Sequence, residues 1–441
     1  MQTKPNQAIG YLPDETPSAG KLVLFALQQI LIMFPATVTV ALLTGFHVST
    51  TIFASGFATL VFLLVTKRKI PLYYGSSFSY IAAVIGMTGA TYGQVAPDLL
   101  ISQAQFGIIC SGFVSIAAGL IVNRFGIKTI ERVLPPTVTG SIALVIGISL
   151  AGVAITGAAG FDGVTANSTA WIAAIVTLLA TVVFSVYLKG IYGQLSILFG
   201  IIVGYIVSIP LGLVDFSAIW TGTLVAVPHF TLPTPSLAAV LAIMPIAIAT
   251  IPESTAHLFQ LDIYVNNLAE KKGKKGKYNI ADKLGLNLIG DGIGDIISAS
   301  IGGPAGTNYG ENLSAMAITK NFSSNMLGVA AILAMVLSFV QPLSNAISSV
   351  PSPVVNGACI FLFGAIGAQG IAIMIEKKVD MFSIKNLAVI AIIMVIGLGG
   401  HYGFPNGNIP VFGFALPAIA TAAIVGIAIN LILSIGNSDS Y

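Results

Sequence analysis

Apolar residues run along this chain in long blocks parted by short polar breaks, and the blocks have the length that a bilayer sets. With roughly 20 residues taken as one crossing, segments fall at 21–44, 48–66, 74–90, 101–123, 136–157, 168–188, 193–213, 236–260, 282–300, 308–320, 322–341, 352–375, 384–400 and 411–434, fourteen in all. The third and tenth are too short to cross as plain helices. Gly, Pro and polar residues interrupt them in "IPLYYGSSFSY" and "GGPAGTNYGEN", so both are predicted to be broken.

Composition agrees with lipid as the solvent. Of 441 residues, 56% are hydrophobic and 8% charged, with a mean hydropathy of +0.94; one soluble core cannot hide that much apolar surface. Cys110 and Cys359 lie inside apolar runs and read as small buried hydrophobes rather than a disulfide framework. The first run is longer than a signal-peptide core and lacks a clear cleavage pattern, so it reads as a retained span in a chain that starts near Met1.

Positive charge sets the expected orientation. With the amino terminus in the cytoplasm, all 19 basic residues fall on the inner side. The opposite loops, such as "TGAAGFDGVTANSTA" and "GLVDFSAIWTGTLVAVPHF", carry no Lys or Arg. The expectation is a multi-pass protein of the cell inner (plasma) membrane with both termini cytoplasmic. The run "KKGKKGK" reads as a solvated cytoplasmic loop, with attraction to anionic lipid as the sharper option.

Two short stretches resemble each other. "YGSSFSYIA" begins at Tyr74 and "YGENLSAMA" at Tyr309, sharing Tyr, Gly, Ser and Ala at matching positions. They lie seven spans apart and enter the membrane from opposite sides, as in the inverted-topology repeats of secondary transporters, whose broken helices meet at a midplane site.

Carboxylates in such a chain are costly and usually face a cavity. Glu253, after Pro252, sits deep in the eighth span with His257 one helical turn on. Glu311 follows the break in the tenth. Two carboxylates beside unpaired backbone groups suit a small planar molecule rich in N–H donors and C=O acceptors. Each residue also has a plainer reading: Glu253 as a structural carboxylate, His257 and Phe78 as packing, Asn312 as a cap of the short helix. Asp291 and Asp295 share a helix face among glycines, and acids bonded to backbone or neighbouring elements are a better reading there than a cation site. The histidines His47, His229, His257 and His401 are scattered through different segments, which disfavours a membrane enzyme or metal centre. An anion transporter would want a positive site that Glu311 opposes.

"PAGTNYGENLSAMAITK", ending in Thr319 and Lys320, resembles the signature of the nucleobase-ascorbate transporter (nucleobase:cation symporter-2) family, in particular its bacterial uracil permease branch. The likeness runs from "LQQILIMFPATVTVALLTG" through "IPLYYGSSFSY" to "FGAIGAQGIAIMIEKKVD". It implies an all-α membrane protein of fourteen spans in two inverted seven-span repeats, with short antiparallel strands in broken spans 3 and 10. The implied organisation is a tail (1–20), a core domain (21–135 and 236–341), a gate domain (136–235 and 342–434) and a cytoplasmic tail (435–441). Glu253, Glu311, Phe78, Tyr309 and Gly310 match the substrate-binding positions, the last two as backbone contributors; His257 matches a histidine tied to proton coupling, a role shared with the two glutamates. The expected activity is proton-coupled import of a nucleobase, uracil first and xanthine or another purine as the alternative. No cofactor beyond the coupling proton and no nucleic acid is expected; membrane lipid and a homodimer through the gate domain are the expected partners. Three positions depart from the family pattern: Ser314 replaces a Gly, Gln29 a His in the first span, and Phe363 a Tyr in the gate domain.

Overall fold

A computed structural model describes residues 10–126, 128, 132–161, 165–217, 219–411 and 414–435. Residues 1–9 of the expected amino-terminal tail and 436–441 of the carboxy-terminal one lie outside the described residues.

Helix occupies each apolar block. In chain order these are α1 Ala19–Thr44, α2 Val48–Val65, α3 Ile81–Thr88, α4 Asp98–Phe125, α5 Pro136–Ala158, α6 Ser168–Tyr187, α7 Ser196–Ser208, α8 Leu237–Lys271, α9 Leu284–Ser300, α10 Gly310–Thr319, α11 Ser324–Leu337, α12 Ser352–Glu376, α13 Ile384–Gly403 and α14 Ala418–Ser434. Among the described residues, eight of them (α1, α2, α4, α5, α6, α8, α12 and α13) are long and apolar enough to cross a membrane. Gly45 ends α1 in the left-handed conformation, φ 76°, which only a residue without Cβ adopts freely.

The breaks before α3 and α10 are extended chain. β1, Tyr74–Ser76, pairs antiparallel with β2, Gly306–Asn308, Tyr74 opposite Asn308 and Ser76 opposite Gly306. This pairing corrects the register read from the repeat. Tyr74 and Gly75 lie within β1, whereas Tyr309 and Gly310 follow β2. Counted from the strand ends, Ser77 is the counterpart of Tyr309 and Ser79 that of Glu311. The letters matched three residues out of step because the two tyrosines do different jobs: the Tyr74 hydroxyl donates to Asp295 Oδ1 at 2.7 Å, and that of Tyr309 to the Ser76 carbonyl at 2.9 Å. A second hairpin, β3 Asn408–Val411 with β4 Phe414–Pro417, occupies the start of the block read as span fourteen. Helix begins there only after Pro417.

Helix packing falls into two groups. α4 packs along α9, α2 along α11 and α9, and α1 on α11; α5 packs along α12, α6 on α7 and α12, and α13 on α14 and α5. Small residues permit the close approach of α4 and α9: a Cβ at Gly112 would lie 2.5 Å from the Gly292 carbonyl oxygen. Most of these pairs recur with both members displaced by seven, α4–α9 as α11–α2, and α6–α7 as α13–α14.

The lysine run is largely exposed, and several of its side chains are tied to the amino-terminal segment. Lys272 Nζ and Lys274 Nζ donate to Glu15 at 2.5 and 2.8 Å, and Lys277 Nζ to Asp14 at 2.5 Å. The same amino-terminal segment buries Leu12 and bonds main chain to main chain with the turn after α10, Tyr11 N to the Lys320 carbonyl and Phe322 N to the Tyr11 carbonyl, both at 2.8 Å. Lys275 pairs locally with Glu270 at 2.8 Å, whereas the acids that meet Lys272, Lys274 and Lys277 lie some 260 residues upstream, beyond the reach of a local reading.

Candidate functional site

β1 and β2 meet inside the protein, and each is followed by a helical start: a 3-10 turn at Phe78–Tyr80 after β1, and α10 after β2. The first N–H groups of a helix have no partner within it; at the first start the Ser77 hydroxyl accepts from Ser79 N at 3.3 Å. Tyr309 is not among the open ones: its N–H donates to the Tyr73 carbonyl at 2.9 Å, and its carbonyl accepts from Leu313 N at 3.1 Å. Its side chain is a strut, bonded to Ser76 and to Thr37 Oγ1 at 3.0 Å. The donors left for a ligand begin at Gly310.

A buried polar lattice holds the strand pair to α9. Asn308 Nδ2 donates to Asp291 Oδ1 at 2.8 Å and lies 3.2 Å from Ser254 Oγ on α8; Asn287 Nδ2 donates to the same Ser254 oxygen at 2.7 Å, and Ser254 donates to Asp291. Asp295 Oδ1 accepts from Tyr74 and, at 2.7 Å, from Gly306 N. Both aspartates are thus occupied in fixing the breaks. Ser254, Asn287 and Asn308 went unremarked in the sequence; their signal is that polar residues fully inside an apolar helix or strand must find each other.

The two glutamates converge from different elements. Glu253 lies on α8, one turn before His257; Glu311 lies in the first turn of α10, where a negative group is favoured by the helix dipole. His257, one turn from Glu253, abuts Gly310, the residue before Glu311, which brings the two carboxylate-bearing segments together. Both glutamates keep accessible surface while His257, Asn308 and Asn312 around them are buried, the pattern of side chains that face a cavity. Glu311 lines a narrow crevice between α1, α12 and the start of α7, with Pro35, Thr39, Leu198, Cys359 and Leu362. Glu253 and Phe78 do not line it.

His257 does not bond to Glu253, and its buried Nδ1 has no hydrogen-bond partner. The ring abuts the start of α10 so closely that a Cβ at Gly310 would lie 2.7 Å from Nε2. Asn312 does not cap α10 either. Its amide crosses to α1 and donates to Gln29 Oε1 at 2.8 Å and to the Gln29 carbonyl at 2.9 Å. Phe78 meets Phe363 of α12 edge to face, ring centroids 6.1 Å apart.

Residues 20–406 match the xanthine/uracil permease model (Xan_ur_permease, Permease family). The chain belongs to that family. It is a multi-pass membrane permease and not an enzyme. It is 35% identical over 427 residues to the uracil permease of Bacillus caldolyticus, covering 95% of this chain and 94% of that one. To the uracil permease of Escherichia coli (strain K12) it is 34% identical over 434 residues, covering 97% and 94%. Its fold is similar to that of murine Slc26a9, an anion transporter in the inward-facing state, with a TM-score of 0.67 at 12% identity, covering all of this chain and 74% of that one. The transmembrane domain of the cyanobacterial bicarbonate transporter BicA aligns with a TM-score of 0.53 at 14% identity, covering 95% and 97%. At that identity the likeness is one of fold alone.

Proposed function

We propose that this permease imports a nucleobase, uracil in first place, by proton-coupled alternating access. The observation that carries the reading is the meeting of the Glu253–His257 turn of α8 with the start of α10 that bears Glu311, beside the β1–β2 pair. A uracil edge presents ring N–H groups, which a carboxylate accepts, next to C=O groups, which backbone N–H groups satisfy. Substrate and proton compete for, or share, the same carboxylates, so each changes the affinity for the other. The names of the relatives, uracil permeases over nearly the full chain, support the same base.

In this reading the fourteen helices are fourteen spans in two inverted repeats of seven, with both termini cytoplasmic and the lysine-bearing loops inside. The antiparallel β1–β2 pair and the packing that recurs at a displacement of seven support it. The two packing groups correspond to a core of α1–α4 and α8–α11 and a gate of α5–α7 and α12–α14, the latter also the face for a homodimer. The base sits where the core residues Glu253, Phe78, Gly310 and Glu311 face the gate residue Phe363. His257 acts by holding the break that presents Glu311, and Asn312 with Gln29 fixes α10 against α1. Binding of a panel of radiolabelled bases to purified protein tests the assignment: uracil retained is the expected result, and displacement by xanthine or guanine alone would move it to the purine alternative.

A further inference from the structure

Two histidines that lie 182 residues apart in sequence come together at the end of the molecule away from the lysine-bearing turns. His47 stands in the turn between α1 and α2, Asp98 opens α4, and His229 lies on the irregular crossover segment that leads from α7 into α8. Their ligating atoms all lie within 4.8 Å of one another. His229 Nε2 is 2.9 Å from Asp98 Oδ2, His47 Nε2 is 3.5 Å from Asp98 Oδ1, and the two imidazole centroids are 4.3 Å apart. His47 Nε2 is buried and makes no hydrogen bond.

From this cluster we infer a site for a first-row transition-metal dication, zinc in the first instance, ligated by His47, Asp98 and His229. The donor set fits the metal: zinc takes imidazole nitrogen and carboxylate oxygen at about 2.0–2.2 Å in tetrahedral geometry, and such ligands stand about 3.3 Å from each other, close to the two separations to Asp98. Two imidazoles and one carboxylate are too nitrogen-rich for calcium or magnesium, which prefer all-oxygen shells. A water would complete the fourth position, since Asp98 and His229 are both exposed. A hydrogen bond between His229 and Asp98 accounts for that pair alone; it leaves the His47 nitrogen, aimed at the same carboxylate, with no partner.

The surroundings hold the ligands in place before any ion arrives. Thr50 Oγ1 donates to the His229 carbonyl at 2.6 Å, and Phe230 packs on Phe53 with centroids 5.2 Å apart. Gln105 on α4 exchanges hydrogen bonds with Thr231, at 2.9 Å to its carbonyl and 2.8 Å from its hydroxyl. A metal here would fasten the crossover, which joins the two packing groups, to α2 and α4 at a third point. Binding stabilises the folded protein by mass action.

The experiment uses full-length purified protein in detergent, stripped with EDTA and exchanged into chelator-free buffer. Isothermal titration with ZnCl2 should give one equivalent per chain, accompanied by a rise in Tm, and Co2+ should give the visible absorption bands of a tetrahedral N/O site. His229→Ala and His47→Ala should each weaken binding at least tenfold, while MgCl2 and CaCl2 give neither heat nor stabilisation. His229 is half exposed, so its replacement leaves the fold intact and keeps the test decisive should His47→Ala destabilise. Absence of zinc binding by the wild type, or binding unchanged in His229→Ala, would overturn the site.

Discussion

The Asn312 side chain reaches from α10 to α1 and donates to both the side-chain and main-chain oxygens of Gln29, at 2.8 and 2.9 Å. Both residues are buried, and Asn312 stands next to Glu311. The contact therefore sets the angle at which α10 presents its carboxylate. Asn312→Ala would leave the Gln29 amide oxygen buried without its donor, a cost of about 1–3 kcal/mol. A fall in Tm together with weaker uracil binding is expected; Gln29→Ala added to Asn312→Ala should cost little more, because the bond is already gone. Additive losses in that double-mutant cycle would contradict the contact.

Glu311 itself is the sharper test of the binding site. Glu311→Gln exchanges an ionised group that only accepts for a neutral one with a single acceptor oxygen and an added donor, so the charge-assisted bond to a ring N–H of the base is lost, at about 1–3 kcal/mol. Uracil affinity, measured by scintillation proximity or equilibrium dialysis, should fall at least tenfold, about 1.4 kcal/mol. An unchanged Kd would remove Glu311 from the site.

Much of this arrangement was legible in the sequence, for physical reasons that differ by residue. Glu253 and Glu311 stood out because ionisable groups are rare and costly in lipid, and the breaks before α3 and α10 because Gly, Pro and polar residues cluster there and leave too short an apolar run to cross. Register was not legible: Tyr-Gly occurs on both sides of the pair, and only the hydrogen bonds of Tyr74 and Tyr309 show that the two play unlike parts. Long-range partners were equally hidden. Nothing local announces that Asn312 meets Gln29 rather than capping its own helix, that Glu15 neutralises Lys272 and Lys274, or that His47 and His229 converge on Asp98.

Selectivity at the 5-position of the base should follow from the gate side. Phe363 meets Phe78 edge to face and carries no hydroxyl, so the wall it offers is apolar. Thymine and 5-fluorouracil should compete with labelled uracil, and Phe363→Tyr, which adds a polar group that seeks a partner, should weaken the thymine competition more than uracil binding. Competition by neither pyrimidine would mean that Phe363 does not border the base.

The amino-terminal clasp predicts an acid-sensitive increment of stability. Burial alone would raise the Asp14 carboxyl, but hydrogen bonds from Lys277 and Tyr278 outweigh it and hold its pKa at about 2, below the usual 3.8. Burial would likewise raise Glu15, and Lys272 and Lys274 hold it at about 2 instead of 4.5. A carboxyl depressed in the folded state binds protons more readily when unfolded, so its contribution is full above the unfolded value and is lost as pH falls through the folded one. Glu15→Gln should lower Tm at pH 7, and the gap between variant and wild type should close between about pH 4.5 and 2. A gap that persists at the acid end would assign the effect to packing.

The closeness of His257 to Gly310 separates a positioning role from simple packing. A methyl group on Gly310 would lie 2.7 Å from Nε2 of the buried His257 ring. Gly310→Ala must therefore push either the imidazole or the start of α10, at a cost of about 1–3 kcal/mol typical of overpacking. Because Glu311 is the next residue, uracil binding should weaken with stability. His257→Ala removes the obstacle, so the double variant should bind better than Gly310→Ala alone, a coupling of the kind that residues in contact display. His257→Ala by itself should impair pH-gradient-driven uptake in liposomes more than it impairs equilibrium binding, since it loosens the break that presents Glu311 without removing a contact to the base. Thermal stability, binding and uptake measured on the same preparations distinguish the cases: strictly additive losses, or a drop in Tm that accounts for the whole transport defect, would leave His257 as packing and the two glutamates to carry the proton.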